Sequence, residues 1–117
     1  MQDSSPLEAA NLVLKFLLEL ATLACFAIWG AHGESGATAV VRAIIPPLII
    51  ALLWGRLAAP RSRHRLPRAT RIPFELTVFA LAVVALIATG HVTWAIALGV
   101  VMAINAAAMT VFDQWEA

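Results

Sequence analysis

Four long apolar stretches, divided by short polar ones, organise the chain. They run from about Ala10 to Gly30, Thr38 to Ala59, Ile72 to Gly90, and Val92 to Phe112. A helix that crosses the hydrocarbon layer needs roughly 20 mostly apolar residues, because the layer is about 30 Å thick and a helix rises about 1.5 Å per residue. Each stretch meets that length. The pattern therefore predicts an all-α fold, a four-helix transmembrane bundle in which residues 1–117 form a single membrane domain. Gly30 to Ala37 reads as a polar, glycine-rich turn and Gly90-His91 as a tight turn. Residues 60–71 form a longer basic loop. Connections this short make successive helices antiparallel neighbours.

Composition supports the same class. Hydrophobic residues make up 62% and charged residues only 13%, against about 25% charged in soluble domains. The net charge of +1 gives no general field for nucleic acid. Six arginines, however, fall between Arg56 and Arg71 with no acid among them: Arg56, Arg61, Arg63, Arg65, Arg68 and Arg71. Basic loops stay on the cytoplasmic side, so the loop and both termini are expected there. Setting topology is the main role expected of these arginines, and contact with anionic lipid headgroups at Arg61–Arg71 is a second. Trp29, Trp54, Trp94 and Trp115 all fall at span ends, where an indole sits at the headgroup boundary. The first fourteen residues hold Asp3 and Glu8 and no base, the wrong start for a cleaved signal peptide. The single cysteine, Cys25, has no intrachain disulfide partner.

Few polar residues remain inside the spans, and they are the candidates for chemistry. Lys15 and Glu19 lie one turn apart in the first span, and Arg71 and Glu75 repeat that spacing at the start of the third. The similarity of Lys15–Leu20 to Arg71–Leu76 suggests two parallel helical-hairpin repeats. Across the bundle, Lys15 is expected to pair with Glu75 and Arg71 with Glu19. Such a membrane-embedded network either fixes helix register or forms a proton or cation site. The base beside each acid favours the first. Asn105, the polar residue nearest the middle of the fourth span, reads as a helix-packing hydrogen bonder. Ala95, Gly99, Ala103 and Ala107 form a small-residue packing stripe from which Asn105 points away. Pro46-Pro47 kinks the second span. His32, His91 and Glu34 share one end but match no metal-ligand spacing, so no metal is expected. No phosphate loop, nucleophile–base pair or other cofactor motif is present.

The motifs resemble one known group. Glu19-Leu20 through Trp29-Gly30, Pro46-Pro47, the segment Trp54-Gly55-Arg56-Leu57-Ala58-Ala59-Pro60-Arg61, then Arg71-x-x-x-Glu75-Leu76 with Phe79 and Gly90, resemble the YrdB-like family of small bacterial inner-membrane proteins, a domain of unknown function. The resemblance implies four helices in a bacterial plasma membrane and no assigned activity. Two functional classes follow. One is a non-enzymatic structural or accessory subunit or small oligomer. The other is a small proton- or cation-coupled transporter using Glu19 or Glu75, similar in size to the four-helix multidrug transporters that carry a membrane glutamate. Those proteins have weak charge bias, whereas this chain has an arginine-dense loop and a base one turn from each glutamate.

Overall fold

A computed structural model describes residues 5–116. Asp3, one of the acids weighed at the N-terminus, lies outside them. Four helices follow in order: α1 (Pro6–Ala31), α2 (Gly36–Leu57), α3 (Arg68–Ala88) and α4 (Val92–Val111). All four are long and apolar enough to cross a membrane. The described residues contain no strand.

Helix α1 begins four residues ahead of the apolar stretch because of a capping box. Ser5 Oγ accepts the Glu8 N–H at 3.1 Å, and Glu8 Oε1 accepts the Ser5 N–H at 3.3 Å. Helix α3 also starts early, at Arg68 rather than Ile72. The Pro67 carbonyl accepts the N–H groups of Thr70 and Arg71, so Arg68 and Arg71 belong to the first turn of α3 and not to a loop. Helices α3 and α4 both end in a Schellman motif. At the first, Gly90 takes φ 84° while Gly90 N–H reaches Ile87 O and His91 N–H reaches Leu86 O. At the second, Asp113 takes φ 52°, which turns Gln114 and Trp115 back beneath the bundle.

The inward stripe of α1 is Asn11, Lys15, Leu18, Thr22 and Cys25; that of α4 is Ala95, Leu98, Met102, Asn105 and Met109. Alternating steps of three and four residues are the signature of closely aligned helix packing. The central face of α3 carries Arg71, Glu75, Phe79, Ala82 and Leu86. A core of Leu18, Cys25, Phe79, Ala82, Leu86, Ala95 and Met102 joins α1, α3 and α4. Helix α2 buries none of its residues and packs chiefly on α1. The two hairpins therefore differ: α4 enters the core, whereas α2 flanks it. Large aliphatic side chains cover the exterior, including Val40, Ile44, Leu48 and Leu52 on α2, as expected when lipid is the solvent.

The α1–α2 crossing has a specific cause. Pro46 has no N–H, so the carbonyl four residues earlier, Arg42 O, loses its intrahelical donor. That carbonyl lies against Gly30 of α1: a Cβ built on Gly30 would stand 1.8 Å from Arg42 O and 3.0 Å from Pro46 Cγ. Only glycine fits this approach.

Candidate functional site

The candidate side chains gather at the end of the bundle that carries the start of α1, the turn after α4 and the α2–α3 connection. Lys15 Nζ lies 2.8 Å from Glu75 Oε1 and 3.4 Å from Glu19 Oε2. Arg71 Nε lies 3.7 Å from Glu75 Oε2, and Arg71 Nη2 lies 3.0 Å from Glu116 Oε2. Arg65 Nη1 lies 3.6 Å from Glu116 Oε1. The result is a chain of alternating charge: Glu19, Lys15, Glu75, Arg71, Glu116, Arg65.

Lys15, Glu19, Arg71 and Glu75 thus meet in one cluster, with one of the two expected pairings present and the other replaced. Lys15 reaches Glu75, whereas Arg71 turns away from Glu19 toward the C-terminal segment. Its guanidinium donates to Trp115 O at 2.7 Å and to Leu66 O at 2.9 Å. The Schellman turn at Asp113 delivers Trp115 O, and the α2–α3 connection supplies Leu66 O. Arg71 and Glu75 side chains are only 2% and 4% exposed, which their mutual neutralisation and hydrogen bonding make tolerable.

Two tryptophans line this cluster. Lys15 Nζ sits 5.9 Å from the Trp54 ring centroid and 5.6 Å from that of Trp115, within cation–π range. Trp54 also packs on Phe74 and Phe79 at centroid distances of 5.9 and 5.5 Å. Trp29 and Trp94, at the hairpin end, are exposed. The inner pair therefore serves the bundle, and the outer pair faces the surroundings.

Asn105 anchors a second buried network. Its Nδ2 donates to Asn11 Oδ1 at 2.8 Å and to Asn11 O at 3.1 Å. Asn11 Nδ2 donates to Gln114 Oε1 at 2.8 Å, and Gln114 Nε2 donates to Glu8 O at 2.9 Å. This relay joins α1, α4 and the C-terminal turn. Asn105→Leu strands Asn11 Oδ1 without its donor and should lower stability in detergent by about 1–2 kcal/mol, as a buried group left unsatisfied does. Thermal unfolding measures this, and Asn105→Leu/Asn11→Leu should recover only part of the loss, because Gln114 Oε1 then loses its Asn11 donor. An unchanged midpoint in the single variant would dismiss the relay.

Sequence reasoning missed Asn11, Gln114, Arg65 and Glu116 as partners. One signal was present for Asn11: it shares a helix face with Lys15 and Thr22, and the least apolar face of a membrane helix turns inward. The small-residue stripe divides. Ala95 is buried and Gly99 half-buried beside Val83, whereas Ala103 and Ala107 are exposed. At the hairpin end, Glu34 pairs with Arg42 at 2.8 Å, and His91 Nδ1 lies 3.0 Å from Thr89 Oγ1. Among the described residues no three His, Cys, Asp or Glu side chains gather to hold a metal ion.

No solved structure matches the chain. The uncharacterized protein YrdB of Bacillus subtilis (strain 168) is 30% identical over 87 residues, covering 68% of this chain and 71% of that protein. The family described as "Protein of unknown function (DUF2568)" matches residues 13–103, a span that takes in Lys15, Glu19, Arg71 and Glu75. The chain, a small four-helix membrane protein, belongs to that family.

Proposed function

We propose that this protein is a non-enzymatic accessory subunit or small oligomer of the bacterial plasma membrane, with both termini and the arginine-rich connection in the cytoplasm. The observation that carries the reading is the continuous charge chain. Every acid in it has a cation within 4 Å, and its two inner acids have two each. Charges so matched fix the relation of helices. The α3–α4 surface supports an association role. Ala80, Val84, Gly99 and Ala103 line a shallow apolar groove there, and small residues let another helix backbone approach. The orientation is supported by exposed arginines at the charged end, Arg56 in the last turn of α2 and Arg61 and Arg63 in the α2–α3 connection.

A second reading, ion-coupled transport, has one observation in its favour. Glu19 is the least enclosed acid in the membrane-embedded part of the chain, at 27% side-chain exposure.

Affinity isolation of the tagged full-length chain from native membranes in mild detergent tests the proposal. A stoichiometric membrane-protein partner, or a defined homo-oligomer, is the expected result. Recovery as a lone monomer, together with proton-driven uptake in reconstituted vesicles that Glu19→Gln abolishes, would transfer the assignment to transport.

A further inference from the structure

The charge chain has one under-compensated end. Glu75 faces both Lys15 and Arg71, and Glu116 faces both Arg65 and Arg71. Glu19 faces only Lys15, which lies closer to Glu75. Glu19 also borders open space. Between α1 and α2 runs a groove with two compartments that share Phe16, Glu19 and Trp54 as walls. The compartment at the charged end has a volume of ≈ 320 Å³ and is lined by Lys15, Glu19, Glu75 and Trp54, among others. The second, ≈ 210 Å³, is apolar and is walled by Leu20, Leu23, Ile50, Ala51 and Phe79. Glu75 Oε1 is buried and receives no well-directed hydrogen bond despite its ion pair with Lys15.

This surrounding already holds an ammonium. Lys15 Nζ sits among two carboxylates and two indole rings, the chemistry that recognises cationic nitrogen. Lys15 is shared between Glu19 and Glu75, so Glu19 keeps accepting capacity toward the groove, and the apolar compartment beyond it accepts a hydrocarbon or aromatic body. Sites of this size, apolar with a few convergent polar groups, suit ligands of drug-like dimensions.

We infer that the α1–α2 groove binds a small lipophilic ammonium compound. Its cationic head pairs with Glu19 against the Trp54 indole, and its apolar body lies between Leu23, Ile50 and Phe79. This goes beyond the accessory role and does not rest on it, because ligand binding and partner isolation are read separately.

The test uses the full-length protein in nanodiscs of diglucosyldiacylglycerol, a bilayer lipid without an ammonium group. The probe is 11-bromoundecyltrimethylammonium, whose bromine quenches nearby indoles, compared with 11-bromoundecanoate and 11-bromoundecanol. The difference between the native chain and Trp54→Phe isolates the Trp54 signal. The expected result is saturable quenching by the ammonium probe alone. Half-saturation should rise about tenfold in Glu19→Gln, the loss of one charge-assisted contact. Ala51→Phe fills the apolar compartment from exposed α2, leaves the charges untouched, and should abolish saturation as well. Equal, non-saturating quenching by all three probes would mean partition into the bilayer and overturn the proposal. So would competition by phosphatidylethanolamine, which would make the occupant a lipid headgroup, or unaltered titration in both variants.

Discussion

Gly30→Ala should cost this protein about 3 kcal/mol or more of stability, at the upper end of overpacking effects. The added Cβ would stand 1.8 Å from Arg42 O and 2.9 Å from Arg42 C, both backbone atoms of α2. Ordinary carbon–oxygen contacts begin near 3.3 Å, so the two helices must separate by roughly 1.5 Å. A flexible side chain could swing away, but a helix backbone moves only as a unit. Two prolines stiffen α2 at the contact, since Pro46 and Pro47 both lie within it. The shift also strips contact from the only helix on which α2 chiefly packs. Gly55→Ala is the matched control. A Cβ there meets nothing within 4 Å, and alanine favours a helix interior over glycine by about 0.5–1 kcal/mol. Unfolding in detergent, followed by helical circular dichroism, should show a much lower midpoint for the first variant and an equal or higher one for the second. Similar midpoints for both would remove the proposed contact between the proline-freed carbonyl and glycine.

This crossing also shows where sequence information runs out. Span number and order follow from hydropathy, because lipid forces backbone groups to pair within each segment. The pairing of Lys15 with Glu75 was within reach for a similar reason: each is a charge at comparable depth, and each needs a partner. Gly30 and Arg42 carry no such demand. Their contact depends on how far apart two backbones lie, which apolar composition leaves open. The C-terminal turn was hidden differently. Phe112–Glu116 is short and aperiodic, and its register depends on Asp113 adopting a left-handed conformation that asparagine and aspartate tolerate but do not announce. Once that turn forms, Gln114 meets Asn11 across 103 residues of sequence. Trp115 O and Glu116 capture Arg71 through the same turn. The expected pairing of Arg71 with Glu19 failed for that reason: nearer acceptors were available from a segment that looked like a tail.

Glu75→Leu is expected to be the most damaging change in the charge chain, costing about 3–5 kcal/mol, as removal of one partner from a buried pair does. Glu75 is 4% exposed and stands between two cations. Without it Lys15 keeps only Glu19 at 3.4 Å, while Arg71 keeps Glu116 and two carbonyl acceptors. The loss therefore falls mainly on Lys15, held among aromatic and apolar side chains at 13% side-chain exposure. Adding Lys15→Met should consequently restore part of the stability, because an unpaired ammonium is no longer enclosed. A double-mutant cycle across the two positions should give a coupling of about 1–3 kcal/mol. Glu116→Gln, at 58% exposure, should cost well under half as much as Glu75→Leu, since solvent screens an exposed partner. The ordering separates two accounts of the cluster. If these charges set helix register, stability must fall most at Glu75 and the cycle must be strongly coupled. Additive effects, or a larger loss at Glu116 than at Glu75, would mean that packing of Trp54 and Trp115 holds this end of the bundle and the charges merely accompany it.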